Sequence, residues 1–459
     1  MEEETIAAIA TPLGESGIGI VRVSGPLAEP IARRLFKPKK EQALFVSHHF
    51  HYGEIIDPAT GRPVDEVLIV VMKSPATYTR EDILEIHCHG GCFVLQKILE
   101  LVLKHGARMA YPGEFTKRAF LRGRIDLTQA EAVIDLIRAK TVAGLEIAHQ
   151  QLRGWLFREV TELKDCLIEH LALIEANIDF SEEEVESIPL GKMKHDLEGM
   201  VSKLQGWVNS YDEGKILREG ISCAIIGKAN VGKSSLLNVL LREDRAIVTP
   251  VPGTTRDVIE EILNIRGVPV RLMDTAGLRK ATDSIEREGM RRTKERVGES
   301  DFILLMLDGS EPLDADDLDI LEEVKAKRKV VAVNKGDLPP RTSIEKVKIL
   351  FQGDPIVSIS CLTGKGVDDL RDAIHHFLIH REAGTPADRM VIANLRHKMA
   401  LVQAKDSLLR AMSEVEDAAS LEFIAFEIRL ALEALQEVVG ETTTDEILDR
   451  IFEQFCIGK

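Results

Sequence analysis

Apolar residues recur along this chain in three different styles. Up to Arg122 the chain is rich in Gly, Pro and β-branched residues. TIAAIATP, GIGIVRVSG and VDEVLIVVM read there as strands separated by turns. FVLQKILELVLKHG and PGEFTKRAFLRG carry the longer period of helices. From Leu127 the spacing is helical, through AEAVIDLIRAK and LFREVTELKDCLIEHLALIEANI. FSEEEVESIP interrupts it, and another helical stretch follows to about Glu213. At Ile221 the style changes again. ISCAIIG, VRLMDTAG, FILLMLDG, KVVAVNKGD and DPIVSIS are short apolar strands with helical stretches between them, the pattern of a sheet covered on both faces. That block ends near His380, EAGTPADR reads as a linker, and the chain is helical again from Val391. Near the end, Thr443 and Glu446 have capping-box spacing. Ile447, Leu448, Ile451, Phe452 and Phe455 then fall on one apolar face.

The α/β block thus interrupts two helical stretches, which are expected to pack together. The predicted fold is a multidomain α+β chain. It has an amino-terminal α/β domain at 1–122, a discontinuous helical domain at 123–216 and 383–459, and an inserted Ras-like α/β domain with a phosphate-binding loop at 217–382. Composition narrows the partners. The 459 residues include 75 acids against 59 bases, a formal charge of −16, so nucleic acid or an anionic membrane meets no global attraction. Contact with RNA then needs a local basic patch or a partner protein. The six cysteines make no small disulfide framework, which suggests a reducing compartment. MEEETIAAIA lacks the basic flank of a signal peptide and no apolar run is long enough to span a bilayer, so a cytoplasmic chain without membrane contact is the expectation.

The chemistry concentrates in the α/β block. Gly227-Lys-Ala-Asn-Val-Gly-Lys-Ser-Ser235 fits G-x-x-x-x-G-K-S between a strand and a helix. Its backbone N–H groups and the following helix end favour phosphate oxygens. Asn230, Val231, Gly232 and Ser235 line the loop, Lys233 is expected to reach the β/γ-phosphates and Ser234 to bind Mg²⁺. A Gly-rich turn without a ligand is the plainer reading, and the strand–helix context disfavours it. Asp274-Thr275-Ala276-Gly277 follows a second apolar strand. Asp274 suits Mg²⁺, directly or through water, and the Gly277 N–H suits the γ-phosphate. Such turns are common, and only the order and placement make this one informative. Asn334-Lys335-Gly336-Asp337 closes a third strand. The Asp337 carboxylate can accept the two N–H groups that guanine presents together, Lys335 can cover the ring and Asn334 can support the loop. Together the three motifs specify a GTP site. Ser360, Cys361 and Leu362 follow another strand and offer backbone groups to the base, a degenerate signal.

With these motifs the chain resembles the translation-factor-related GTPases. More narrowly, it resembles the MnmE (TrmE) family of tRNA-modifying GTPases. The marks are Gly253-Thr254-Thr255-Arg256-Asp257, Asp274-Thr-Ala-Gly-Leu-Arg279, the insertion between helical stretches, GIGIVRVSGP, PGEFTKRAF and the terminal Cys456-Ile-Gly-Lys459. The likeness spans essentially the whole chain. It bears on hydrolysis, because Leu278 stands where Ras-like proteins place a water-orienting glutamine. The resemblance implies a K⁺ ion held by Asn230, Thr249, Val251 and Thr254, replacing an arginine finger. It implies Thr255 beside Ser234 on Mg²⁺, with Thr249, Thr254 and Thr255 completing the GTP-binding set. Glu286 is implied to orient the attacking water, though taken alone it reads as a solvated acid. The K⁺ site is expected to form where two GTPase domains meet in a homodimer.

The same resemblance implies a tetrahydrofolate derivative (5-formyl or 5,10-methylene) in the amino-terminal domain, which is also expected to dimerise. Arg22 and Glu85 match family contacts. Arg124 stands where Lys is common, a change that keeps charge but alters geometry. Lys459 is a further folate contact and Cys456 a reactive thiol at the modification site. The implied partners are tRNA and an MnmG-type protein that carries FAD, in a heterotetramer or larger complex. The implied product is an aminomethyl or carboxymethylaminomethyl group at carbon 5 of the wobble uridine. A GTP-regulated ribosome-assembly switch is the alternative, but neither a second phosphate loop nor an arginine-rich tail is present. An assembly protein with a vestigial nucleotide site is disfavoured by the intact Lys233, Asp274 and Asp337. His87-Cys88-His89-Gly90-Gly91-Cys92 is a tempting metal cluster, yet a strand there points Cys88 away from both histidines. FCIGK mimics a prenylation box, but Gly458 is not aliphatic and no polybasic stretch precedes it. Burial is the ordinary fate of such a cysteine. The apolar helix before it is expected to anchor while the short end stays free.

Overall fold

A computed structural model describes residues 4–39, 45–179, 190–244, 261–273, 297–379, 390–416 and 420–459. The amino-terminal part runs β1 (Ile6–Ile9), β2 (Gly19–Ser24), α1 (Ala28–Leu35), β3 (Phe36–Pro38), β4 (Phe50–Ile56), β5 (Pro63–Met72), β6 (Ile83–Cys88), α2 (Cys92–Lys104), β7 (Arg108–Met109) and α3 (Glu114–Leu121). Its described strands form a sheet in the order β3-β4-β5-β6-β2-β1-β7. Neighbours are antiparallel except β1 and β7. Period-two alternation decides its two faces. Val21, Val23, Ile69, Val71, Leu84 and Ile86 share a core with Ile31 and Leu35 of α1 and Leu95 and Ile98 of α2. The other face holds Arg22 opposite Glu85 and Leu68 opposite His87, with Phe50 and Tyr52 at its rim. α3 covers the β1 end of that face, where Phe115 packs with Ile6 and Ala8, while Phe50, Tyr52 and Leu68 toward β4 and β5 are exposed.

The chain then enters α4 (Leu127–Arg138), α5 (Val142–Leu152), α6 (Trp155–Asp179) and α7 (Leu190–Glu219). Asp126 starts α4 with a capping box, its carboxylate accepting from the Gln129 N–H while the Gln129 side chain accepts from Asp126. FSEEEVESIP lies outside the described residues.

The inserted block runs β8 (Ile221–Ile226), α8 (Lys233–Asp244), β9 (Glu261–Ile265), β10 (Val268–Leu272), β11 (Phe302–Asp308), α9 (Ala315–Val324), β12 (Lys329–Asn334), α10 (Ile344–Leu350), β13 (Ile356–Ser358) and α11 (Val367–Leu378). The strand order is β13-β12-β11-β8-β10-β9, parallel except at β9. Every residue of β8, β11 and β12 is buried. Alternate positions explain this: Ile225 and Leu304 pack with Leu236, Leu240 and Leu370, while Ile226 and Leu305 pack with Val324 and Val347 on the other face.

After the block come α12 (Leu395–Glu416), α13 (Leu421–Val439) and α14 (Asp445–Phe452). They close on the first helical stretch. Leu163, Leu167, Leu197 and Leu204 share one core with Leu401, Leu408, Ile428 and Leu435, so the helical domain is discontinuous in sequence. A buried ion pair fastens the join. Glu131 of α4 takes Arg396 in both oxygens, at 2.9 and 3.0 Å, and His397 at 2.6 Å. Arg396 also donates to the Glu437 and Val438 carbonyls at the end of α13. Burial alone would raise the Glu131 carboxyl, but Arg396 and His397 bring it down to about 2. Its folded pKa lies below the ordinary value of 4.5, so its contribution is present above that value and lost as pH falls toward 2. Glu131→Gln is expected to cost roughly 3 kcal/mol at neutral pH, because the largely buried Arg396 charge loses its only anionic partner among the described residues and keeps carbonyls alone. Urea unfolding at pH 7 reads this directly, and the gap between the two proteins should narrow in acid.

Two expectations for the carboxyl end are corrected. Thr443 and Glu446 form no capping box: Thr444 occupies the cap position without a side-chain bond, and Glu446 pairs with Arg450 at 2.8 Å. Leu448, Phe452 and Phe455 are buried with Leu127 and Ala130, and this packing rather than the cap sets the helix register. The short end is not free either. Gly458 is buried, with φ +97, and a Cβ there would lie 2.6 Å from the Ile9 carbonyl. No helix among the described residues is long and apolar enough to cross a membrane.

Candidate nucleotide site and docked carboxyl terminus

The motif residues that are described gather where β8, β12 and β13 end, the edge at which open α/β sheets bind ligands. β8 sits inside the sheet, with β10 on one side and β11 on the other, so the loop after it lies at the switch in strand order. Asn230 adopts φ +62, which asparagine tolerates better than most residues. Gly232 has φ +103, and a Cβ there would lie 2.2 Å from the Asn334 Nδ2. The glycine is therefore required by a neighbour as well as by the turn. Lys233 and Ser234 open α8, at the helix end that favours anions. Lys233 Nζ donates to the Gly227 and Lys228 carbonyls at 2.7 and 2.5 Å, so its charge already lies over the loop.

Asn334 joins three loops. It is buried, its Nδ2 donates to the Val231 carbonyl at 2.8 Å, and its Oδ1 accepts from the Cys361 N–H at 3.0 Å. The phosphate loop, the NKGD turn and the Ser360–Leu362 loop are thereby one assembly. Ser360 Oγ donates to Asp337 Oδ1 at 2.6 Å, which fixes a carboxylate that is otherwise exposed. Cys361 is half-buried, and burial pushes its thiol up to about 11, consistent with a packed rather than reactive residue. Two supports were not evident in sequence. Asp308, closing β11, pairs with Lys335 at 2.5 Å; burial opposes its charge, but Lys335 and Ser310 hold it below the usual carboxylate range. Lys228 bridges Asp314 and Asp317 at 2.7 and 2.8 Å, tying the phosphate loop to the start of α9. The FILLMLDG strand end was the available signal for Asp308. Thr249, Val251, Thr254, Thr255, Asp274, Thr275, Ala276, Gly277 and Glu286 lie outside the described residues.

A second group assembles on the Arg22 face of the amino-terminal sheet. Arg22 on β2 and Glu85 on β6 are register partners, with Nε 2.8 Å from Oε1. Burial works against the Glu85 charge, but His87 and Arg22 outweigh it and lower its pKa. Arg22 also donates to the Gly458 carbonyl at 3.2 Å. The Phe115 N–H, at the start of α3, donates to the main-chain oxygen of Lys459 at 3.2 Å. Thus the terminal residues reach the same place as Arg22 and Glu85. Tyr78 adds a platform, with the Arg124 guanidinium 4.7 Å and that of Arg22 5.8 Å from its ring centre. A cavity of about 430 Å³ opens here, lined by Tyr78, Arg124, Gln129 and Lys459 among others. Burial and the nearby Arg22 lower the Lys459 ammonium. Cys456 is exposed beside this group. Tyr78 and Phe115 were not singled out from sequence, where lone aromatics read as core.

The histidine–cysteine run of β6 does not converge. Cys88 is buried and donates to the Gly19 carbonyl at 3.4 Å, and burial pushes its thiol up to about 11. His87 turns to Glu85 and the Phe50 ring on the other face, and His89 pairs with Asp65 at 2.7 Å.

Comparison with known proteins covers this whole arrangement. Residues 5–124 match the family model described as GTP-binding protein TrmE N-terminus, and residues 127–456 match the MnmE helical domain. A protein of Geobacter metallireducens named tRNA modification GTPase MnmE is 48% identical over 457 residues, 100% of this chain and 99% of that protein. A protein of the same name from Geobacillus thermodenitrificans is 48% identical over 463 residues, covering 100% of both. One from Geotalea uraniireducens is 47% identical over 457 residues, 100% of this chain and 99% of that protein. With its amino-terminal sheet, helical core and inserted nucleotide-binding block matched from end to end, the chain belongs to the MnmE family of tRNA modification GTPases.

Proposed function

We propose that this GTPase drives modification of a tRNA wobble uridine, acting as a homodimer with an MnmG-type flavoprotein that carries FAD. The chemistry is an aminomethyl or carboxymethylaminomethyl addition at carbon 5 of the uracil. The observation that carries the reading is the docking of the carboxyl tail on the Arg22–Glu85 pair, beside a cavity lined by Tyr78, Arg124 and Lys459. That donor set fits a flat heteroaromatic acid: Tyr78 offers a ring face, Glu85 accepts N–H groups, and the cations take carboxylates or ring oxygens. A tetrahydrofolate derivative bound there supplies a one-carbon unit. This chain's residues orient it and place the Cys456 thiol alongside. The β4–β5 end of that sheet face, with exposed Phe50, Tyr52 and Leu68, supports a second copy as its cover in the dimer. Reconstitution of wobble-uridine modification with GTP, the flavoprotein and a reduced folate tests the whole reading. Tight ribosome-subunit binding without modification overturns it.

At the nucleotide, Lys233 holds β/γ-phosphate oxygens and Ser234 binds Mg²⁺ together with Thr255. Asn230 ligates K⁺ with Thr249, Val251 and Thr254, and Glu286 orients water. The left-handed backbone of Asn230, inside the phosphate loop, supports its part in this set. Hydrolysis in K⁺ is expected to exceed that in Na⁺ by ~10-fold or more, since the ion takes the place of a charge-stabilising finger. Asn230→Ala should remove the difference. Equal rates in the two salts for the native chain sink the K⁺ assignment.

A further inference from the structure

Cys166 and His170 are four residues apart on α6, so they share one face of that helix. Asp196 of α7 meets them there. His170 is 4% exposed, and its Nε2 lies 3.1 Å from Asp196 Oδ2. The Cys166 sulfur, an imidazole nitrogen and a carboxylate oxygen all lie within 4.8 Å of one another. Among the described residues, this trio stands alone as a set of three converging ligand atoms of these types. It is separate in sequence and in the fold from the nucleotide loops and from the Arg22–Lys459 group.

We propose that Cys166, His170 and Asp196 form a binding site for a thiophilic divalent cation, best matched by Zn²⁺. One sulfur, one nitrogen and one oxygen donor make three corners of a tetrahedron and leave a fourth for water. The sulfur selects against Mg²⁺ and Ca²⁺, which prefer oxygen donors throughout. Charge also fits the half-buried setting. As the metal–sulfur bond forms, the thiol proton leaves to solvent, and thiolate, carboxylate and dication sum to zero. A hydrogen-bonded His170–Asp196 pair accounts for two of the residues without any metal. It gives no reason for a sulfur at the third corner. Occupied, the site clips α6 to α7 inside the core that both helical stretches build.

Cobalt(II) titration of the full-length chain, stripped with a chelator, tests this. The expected result is a near-ultraviolet thiolate-to-cobalt charge-transfer band, with visible bands of tetrahedral Co²⁺. Both should saturate at one ion per chain and bleach on adding Zn²⁺. A Mg²⁺ site at the nucleotide has only oxygen donors and yields no thiolate band. Cys166→Ser should abolish the charge-transfer band, and Asp196→Asn should weaken Co²⁺ binding by ~10-fold or more while keeping it. Both variants should retain native GTP hydrolysis and native helix content. Absence of the thiolate band in the native chain, or its survival in Cys166→Ser, overturns the site.

Discussion

Asp337→Asn is expected to lower GTP affinity by ~10³-fold and to give xanthosine triphosphate the advantage, a reversal that follows from hydrogen-bond polarity. Guanine presents N1–H and its exocyclic amine as two donors side by side. A carboxylate accepts both, and Ser360 Oγ, 2.6 Å from Oδ1, holds that carboxylate in place. The amide of Asn sets a donor against a donor, so one guanine N–H is left without a partner. Xanthine keeps N1–H but has a carbonyl in place of the amine, and the amide satisfies both. The substitution leaves the surroundings intact. Asn334 still bonds Val231 and Cys361, and Lys335 still pairs with Asp308. Competition against a fluorescent nucleotide gives the two affinities, and kcat/KM for each triphosphate shows whether catalysis follows binding. Unchanged GTP affinity in a folded variant removes Asp337 from the base site.

The sequence shows the nucleotide loops well because their chemistry is local. Gly232, Lys233 and Ser234 sit within one strand–turn–helix, and NKGD directly closes a strand of buried β-branched residues. The sharing of one core between Leu167 and Ile428 is less direct, yet similar periodicity on both sides of an α/β block suggested it. Cross-strand partnership was not legible. Nothing in the spacing of Arg22 and Glu85 says that β2 and β6 are neighbours, since 63 residues separate them. The antiparallel β9 also escaped notice, because EILNI is short and its pairing depends on a tight turn at Arg266 and Gly267, both at positive φ. At the carboxyl end, local rules misled. The Thr443–Glu446 spacing is a genuine cap signal, but burial of Phe452 and Phe455 outweighs one exposed cap. A cap contributes about 1 kcal/mol, whereas a buried aromatic side chain contributes about 1.5–3 kcal/mol.

The docked tail makes the strongest demand on the proposed chemistry. Cys456→Ser is expected to abolish wobble-uridine modification while leaving GTP hydrolysis nearly intact, because an exposed serine keeps the shape and loses the thiol. That result alone does not show that the tail must sit where it does, and Gly458 supplies the complementary test. Its φ of +97 is unfavourable for any side chain, and a Cβ would approach the Ile9 carbonyl to 2.6 Å and the Ala10 Cα to 3.0 Å. Both obstacles are backbone, so Gly458→Val must lift the tail rather than shift a rotamer. Lifting it breaks the Arg22 bond to the Gly458 carbonyl and the Phe115 bond to Lys459. The thiol then moves by an ångström or more, a displacement that costs ~10²-fold in positioned chemistry. Phe452 and Phe455 remain buried, so global stability should change little. Modification assays of both variants, beside GTP turnover, separate the two roles. If activity survives Cys456→Ser, the thiol is structural. If Gly458→Val modifies tRNA at the native rate, the docked position has no part in the reaction, whatever the thiol does.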